Sequence, residues 1–358
     1  MGETLLSPDT APVRPGEELD VARLSAWLAG RIAGDTGNGV EVEQFPNGHS
    51  NLVYLVRAGG REYVLRRPPL GPVAPKAHDM AREYRVLEAV HPHFPEAPEV
   101  FQLCEDPSVI GAPFFLMQRR DGIVIRDQAP AELAAIPDYP RRVSEAFIDC
   151  LVRLHAIDIG QTGLGFLGRP QGFVERQVRG WADRWTRSKI DDVPEMERII
   201  EWLGRCLPPS GEATLVHNDY KLDNVMLARP ADRVSAVLDW EMATVGDPLA
   251  DLGLALCYWT WANIAAQESG YGPTRTITME PGWYTRDEFL QRYTDRTGRS
   301  VDAIRYHEVL GIFKLAVILQ QIYYRYRRGQ TRDERFRNFD GHVGGLAKLA
   351  AALSEKRP

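Results

Sequence analysis

Two short polar signatures constrain this chain more than any other part of it. The segment His217-Asn218-Asp219-Tyr220-Lys221-Leu222-Asp223-Asn224 follows the apolar run Thr214 to Val216, and Val237-Leu238-Asp239-Trp240-Glu241 closes a second apolar run that starts at Val234. Each reads as a strand that ends in a loop, so a side chain can project from a rigid edge. Asp219 is placed to take a proton from a hydroxyl. Asp239 ends a buried strand, where an acid is costly unless it meets a cation. Asn224 lies five residues past Asp219, where a loop can turn its amide oxygen toward Mg²⁺, which prefers hard oxygen ligands. Taken alone, the first segment reads equally well as a polar turn. The acid at the end of the next strand tips the reading toward a base and two oxygen ligands, the parts that phosphoryl transfer from a nucleoside triphosphate requires. His217 reads as a brace for the loop, Asp223 as a solvated acid, and Glu241 as a helix-start acid or a water-mediated helper.

The rest of the chain bounds that chemistry. With 358 residues there is room for two lobes. Apolar residues at 44% and charged residues at 26% are ordinary for a globular protein, and a net charge of −6 argues against general nucleic-acid binding. Cys104, Cys150, Cys206 and Cys257 are far apart, which suits reduced thiols in a cytoplasmic protein better than a zinc site or a disulfide set. Residues 1–18 are rich in proline and acids and are expected to form a disordered tail rather than a secretion signal. The apolar run Leu252 to Ala266 is shorter than the roughly 20 residues a bilayer span needs, so it reads as a buried helix and no membrane partner is expected.

Periodicity then divides the chain. Leu24, Trp27, Leu28 and Ile32 recur at helical spacing before Gly34. Strand-like runs follow over Val40 to Phe45, Leu52 to Arg57 and Glu62 to Arg66, the last two joined by Gly59-Gly60, a hairpin signal. A helix is expected over Asp79 to Val90 and two more strands over Val100 to Cys104 and Phe114 to Gln118. From there the pattern is mainly helical, with spans at 144–155, 195–206, 248–266, 286–297, 303–327 and 343–354. The expected fold class is α+β: an N-terminal lobe over 19–118 built on a small antiparallel sheet, and a larger, mainly helical lobe over 119–358.

HNDYKLDN fits the pattern H-x-D-x-x-x-x-N, VLDWE fits the acid-bearing strand end that accompanies it, and Gly246-Asp247-Pro248 through Asp251-Leu252 fits the tail that follows. In these residues the chain resembles the aminoglycoside phosphotransferase and choline-kinase-like family of small-molecule kinases, which share the protein-kinase fold. The resemblance runs from about Glu41 to Gly344. It implies a bilobal fold with Mg²⁺ and ATP in the cleft, Asp219 as catalytic base, and Asn224 and Asp239 as metal ligands. It further implies that Asn47, Gly48, His49, Ser50 and Asn51 cover the phosphates. Arg66 falls where kinases carry the lysine of V-A-I-K; an arginine there stays charged and can fork onto phosphate oxygens. Glu83 becomes its ion-pair partner. Met117 borders the adenine pocket, and backbone groups of Gln118 and Arg120 meet the base edge. Asp247 and Asp251 cap and brace the helix starting at Pro248.

Leu65-Arg66-Arg67-Pro68-Pro69 and the stretch from Phe173 through Gln177 to Trp181, Arg184 and Trp185 narrow the resemblance to the kinase-like domain joined to acyl-CoA dehydrogenases. That implies a small-molecule acceptor with a hydroxyl, of hydroxyacyl type. Arg325, Arg327, Arg328, Arg332, Arg335 and Arg337 either attract an anionic acceptor or form a solvated helix end with local acidic partners. The acids Asp191, Asp192, Glu195 and Glu197 either favour a cationic aminoglycoside or amino alcohol or are an exposed helix face. Arg66 in the lysine position also leaves open a nucleotide-binding pseudokinase. No G-x-S-x-G or H-E-x-x-H pattern supports a hydrolase.

Overall fold

The computed structural model describes residues 9–34, 39–46, 51–71, 78–126, 128–270, 277–331 and 333–356. Internal packing divides the chain into two units. Unit 1 runs to Asp121 and takes back the short segment Ala236–Glu241; unit 2 comprises Gly122–Ser235 and the remainder from Met242.

Unit 1 contains α1 (Val21–Leu28), β1 (Glu41–Gln44), β2 (Leu52–Ala58), β3 (Arg61–Arg67), α2 (Met80–Val90), β4 (Val100–Cys104) and β5 (Phe114–Gln118). The five strands form one antiparallel sheet in the order β1-β2-β3-β5-β4. Gly59 and Gly60 turn the β2–β3 hairpin with φ of 58° and 75°, the left-handed pair that matches strand twist. A side chain at Gly59 would also meet Ala33 O at 2.4 Å. Asp79 caps α2, accepting from the Arg82 N–H at 2.9 Å. Part of the stretch expected as a tail lies along β1: Ala11 bridges Gln44, and Glu17 O accepts from the Tyr54 hydroxyl.

Unit 2 contains β6 (Ile123–Val124), α3 (Ala131–Ala134), α4 (Tyr139–His155), α5 (Phe173–Ser188), α6 (Pro194–Arg205), β7 (Thr214–Val216), β8 (Val225–Leu227), β9 (Val234–Val237), β10 (Thr244–Gly246), α7 (Pro248–Leu256), α8 (Ala262–Ser269), α9 (Arg286–Thr297), α10 (Ile304–Arg327) and α11 (Phe339–Glu355). β10 pairs with β7, and β6, β8 and β9 make a second small sheet. The core is helical, with Phe313, Ile312, Trp185, Met196 and Leu203 among its fully buried members. α10 is buried almost all round from Ile304 to Val317, as expected of a helix without a polar stripe.

The sequence pattern suggests one helix from Pro248 to Ala266, and here the structure differs. α7 stops at Leu256, Cys257–Trp261 winds as a π-helix, and α8 resumes at Ala262. The wider turn resets the register, which apolar periodicity cannot reveal when both flanks are buried. Among the described residues no helix is long and apolar enough to cross a membrane.

Candidate active site

The return of Ala236–Glu241 into unit 1 brings Asp239 to Arg66. Asp239 sits at φ 66°, a costly conformation for a non-glycine residue that persists only where its surroundings fix it. Arg66, on β3, is 7% exposed. Its Nε donates to Glu83 Oε2 at 2.9 Å and its Nη2 to Asp239 Oδ1 at 2.5 Å, with Glu241 Oε2 at 3.9 Å. Glu83 reaches from α2 and also accepts from the Trp240 N–H at 3.2 Å, so one carboxylate ties the arginine to the Asp239 segment. Arg67, on the opposite face, is buried too and donates to Ile110 O at 2.8 Å.

One guanidinium thus faces three carboxylates. Burial works against the Arg66 cation, but Glu83, Asp239 and Glu241 together raise its pKa. Burial first, then the two neighbouring acids, push Glu83 up to about 7 despite Arg66. Burial also opposes the Glu241 anion, yet the His78 hydrogen bond, Arg66 and Asn51 hold it below the usual carboxylate range. Excess negative charge beside Asp239 is what a divalent cation would neutralise, so the donor chemistry fits Mg²⁺.

The other residues expected in unit 1 are placed as follows. Asn51 is buried, its Nδ2 donating to Glu241 Oε2 at 3.0 Å and its Oδ1 meeting His78 Nδ1 at 2.9 Å. Asn47, Gly48, His49 and Ser50 lie outside the described residues. Met117 and Gln118 end β5, half-buried. The Gln118 N–H donates to Glu99 O at 2.7 Å, which removes it as a donor to a base. The Arg120 guanidinium bonds Ala97 O at 3.0 Å and also Pro95 O.

In unit 2 the loop after β7 carries Asp219. Asn218 sits at φ 63°, and Asp251 of α7 accepts both the His217 N–H (2.6 Å) and the Asn218 N–H (2.7 Å). Asp251 is therefore a clamp on this loop, whereas Asp247 is the helix cap, accepting from the Leu249 N–H at 2.9 Å. Burial opposes the Asp251 anion, but the hydrogen bond and charge of His155, with His217, hold its pKa down. His217 is fully buried and its Nδ1 accepts from the Asp219 N–H at 3.3 Å.

The Asp219 carboxylate is surrounded by donors. Lys221 Nζ reaches Oδ2 at 2.9 Å, Asn224 Nδ2 reaches the same oxygen at 2.8 Å, and the Tyr258 hydroxyl reaches Oδ1 at 3.3 Å. Asn224 Nδ2 also donates to Asp219 O at 2.9 Å, so its amide oxygen is the end left to act as a ligand. Tyr258 comes from the π-turn, and Lys221 lies over its ring at 5.0 Å. Lys221 and Tyr258 were legible as residues but not as partners of Asp219. Lys314 is a further addition: 6% exposed on α10, it donates from Nζ to Asn218 O at 2.7 Å. Its sequence signal is a single cation inside the apolar run Val309 to Val317.

Beside this loop, and within unit 2, opens a cavity of about 410 Å³. Phe147, Trp259, Leu315 and Leu319 form apolar walls, Asn263 and Thr278 add hydrogen-bonding groups, and Lys221 and Tyr258 border it. Of the arginines expected to cluster after α10, Arg335 pairs with Asp333 at 2.5 Å and Arg337 with Glu334 at 3.5 Å, both about 70% exposed at the side chain as at a solvated helix end, and Arg332 lies outside the described residues. The acids near α6 are likewise local, with Asp192 and Glu197 meeting Lys189.

The chain is 33% identical over 360 residues to acyl-CoA dehydrogenase family member 11 of Gallus gallus, a match covering 98% of this chain and 45% of that protein. It spans less than half the length of the curated relatives it matches first. A crystal structure of a putative aminoglycoside phosphotransferase from Ralstonia eutropha JMP134 superposes with a TM-score of 0.78 at 27% identity, covering 95% of this chain and all of that one. A ternary complex of aminoglycoside phosphotransferase APH(4)-Ia with AMP-PNP and hygromycin B shares the fold, with a TM-score of 0.58 at 18% identity over 88% of this chain and 95% of that one. The sheet of unit 1 and the helical remainder are thus the kinase-like fold of the aminoglycoside phosphotransferases. A family model for the phosphotransferase enzyme family matches residues 41–289, a span that holds both polar signatures, the Arg66–Glu83 pair and the Asp251 clamp, and on that ground the chain belongs to the phosphotransferase enzyme family.

Proposed function

We propose that the protein transfers the γ-phosphate of ATP, with Mg²⁺, to the hydroxyl of a small molecule. The observation that carries this reading is Asp219, held in a clamped loop by Asp251 and bonded by Asn224 and by Lys221 and Tyr258, two residues that line an acceptor-sized cavity. Asp219 accepts the proton of the acceptor hydroxyl as its oxygen bonds to the γ-phosphorus and the bond to the β-phosphate oxygen breaks. Mg²⁺, when bound, neutralises charge on the phosphates. Asp239 and Asn224 are its protein ligands in this reading, and Arg66, oriented by Glu83, holds phosphate oxygens. Unit 1 takes the nucleotide, with Met117 and Arg120 beside the base and Asn51 toward the phosphates.

The cavity bears on the acceptor. Its walls are mainly apolar, and among the described residues that line it Asp223 is the single acid, against Arg126 and Lys221. That balance suits an apolar chain carrying a hydroxyl and an acidic or acyl group better than a polycationic aminoglycoside. The relatives' names, acyl-CoA dehydrogenase family members 10 and 11, support the same hydroxyacyl class. A second reading, a nucleotide-binding pseudokinase, draws on the direct Arg66–Asp239 bond, which competes with a metal for the carboxylate.

Acceptor-dependent ADP release, screened over hydroxyacyl-CoAs, aminoglycosides and amino alcohols, tests both. The expected result is turnover with a hydroxyacyl compound that Asp219→Ala abolishes while Mg·ATP binding persists. A parent protein that binds Mg·ATP and turns over no acceptor establishes the pseudokinase instead.

A further inference from the structure

We propose that Lys314 is a positioning residue of the phosphotransfer site: its ammonium fixes the Asn218–Asp219 peptide and so sets the direction in which the base projects. The inference rests on the reading of Asp219 as the base. Burying a lysine in a helical core is costly unless its charge is used, and Lys314 is the cation of an otherwise apolar stretch of α10. Its hydrogen bond goes to a backbone carbonyl, Asn218 O, rather than to a carboxylate. The two N–H groups of the same turn go to Asp251. An anion therefore holds the donors of the loop and a cation holds its acceptor, across a residue kept at φ 63°. Asn218 is held at its N–H by Asp251 and at its C=O by Lys314, so the Asn218–Asp219 peptide, whose own N–H donates to His217 Nδ1, has one orientation available and Asp219 follows directly from it.

The packing of α10 shows how the lysine arrives there. His307, Gly311 and Lys314 are spaced to share one face of α10. A side chain at Gly311 would meet Gly253 O at 3.0 Å, and one at Gly253 would meet His307 O at 2.5 Å. Two glycines thus let α10 ride against α7, close enough for Lys314 to reach the loop. On its other side the ammonium lies 5.5 Å from the Trp181 ring of α5, and Arg184 covers the same ring at 4.2 Å.

The charged groups facing Lys314 are Asp219 of the loop and Asp251 of α7, with His155 of α4 behind Asp251, together with Arg184 of α5 and Lys221 of the loop; the Cys257 thiol of the π-turn also faces it, and burial pushes that thiol up so that it stays neutral. Burial foremost, with Arg184 and Lys221 adding to it and the two aspartates opposing, brings Lys314 down to about 8. The grip is therefore charged below about pH 8 and weakens above it.

The test compares the parent with Lys314→Met and Lys314→Arg in the full chain, using Mg·ATP with water as the acceptor and the release of ADP as the signal. Lys314→Met is expected to slow ADP release by about 30-fold, the usual cost of one charge-assisted hydrogen bond at a buried site, with KM for Mg·ATP changed less than about threefold. Lys314→Arg is expected to recover part of the rate and to move the alkaline decline of the parent upward from pH 8, since a guanidinium stays charged. Amide hydrogen exchange over residues 214–222 is expected to quicken at least about tenfold in Lys314→Met. A folded Lys314→Met protein with ADP release within threefold of the parent and unchanged exchange overturns the proposal; so does an active Lys314→Arg protein whose alkaline decline stays in place. Where Lys314→Met fails to fold, the Lys314→Arg profile decides. Where the parent releases no ADP with water, the same comparison is made with the acceptor that the screen supplies; a parent that turns over none of those acceptors overturns the phosphotransfer reading and this positioning role with it, while the exchange data still separate a gripped loop from a free one.

Discussion

The two polar signatures are built alike and charged differently. Each places an acid on a loop beside a residue in the left-handed region, Asp239 itself at φ 66° and Asn218 at φ 63°. Each recruits a buried cation from a distant element, Arg66 from β3 and Lys314 from α10. Around Asp239 one guanidinium meets three carboxylates. Around Asp219 two ammonium groups, Lys221 and Lys314, face Asp219 and an Asp251 already joined to His155. The first setting has more acids than cations, as the proposed metal site requires; the second is near balance, as suits the proposed role of Asp219 in accepting a proton and releasing it. Like backbone devices therefore serve unlike chemistry, and the difference is carried by charge count rather than by loop shape.

The strongest way to break this contrast is Asp239→Asn. Removing the carboxylate that is proposed to bind Mg²⁺ should lower kcat/KM for Mg·ATP on the order of a thousandfold, read in the acceptor assay, whereas an activity loss below tenfold would place the metal elsewhere. Arg66→Met comes next. It strands Glu83 and Asp239 without their cation, so the protein should lose about 3 kcal/mol of stability, visible as a lower urea midpoint; Arg66→Lys should retain most of it.

A smaller effect concerns pH. The folded-state pKa of Glu83 is raised from 4.5 to about 7, so between those values the folded protein binds the extra proton and its stability falls as pH rises. The contribution is complete below about 4.5 and gone above about 7. Glu83→Gln should flatten that slope, and parallel slopes for parent and variant in urea melts from pH 4.5 to 8 would place the proton elsewhere. The smallest expected effect is that of Tyr258→Phe, which removes the 3.3 Å bond to Asp219: a reduction in kcat of about three- to tenfold, with no change in melting temperature beyond a degree or two.

Much of the fold was legible because its signals are local. The Gly59-Gly60 hairpin, the Asp79 and Asp247 caps and the alternating strands of unit 1 are set by residues within a few positions of one another. The π-turn at Cys257–Trp261 was not legible, since a run that is apolar on every side carries no phase to shift. The role of Asp251 differs from the expected one: beside Asp247 it reads as a cap or brace for its own helix, and that its carboxylate reaches back to two N–H groups of another loop depends on how α7 packs against β7. Arg66 and Arg67 show the same limit, for alternation assigns them to opposite faces but does not say that both faces are buried.

By itself the sequence determined the chemistry at hand, a carboxylate after one strand, an amide five residues on and an acid after a later strand, because such features need only the backbone between neighbours. Tertiary structure alone decided which cations those acids would meet. Lys314 stands 96 residues from Asn218 and Arg66 stands 173 from Asp239. Pairs so distant are joined by the burial of whole helices and sheets, which no local pattern records.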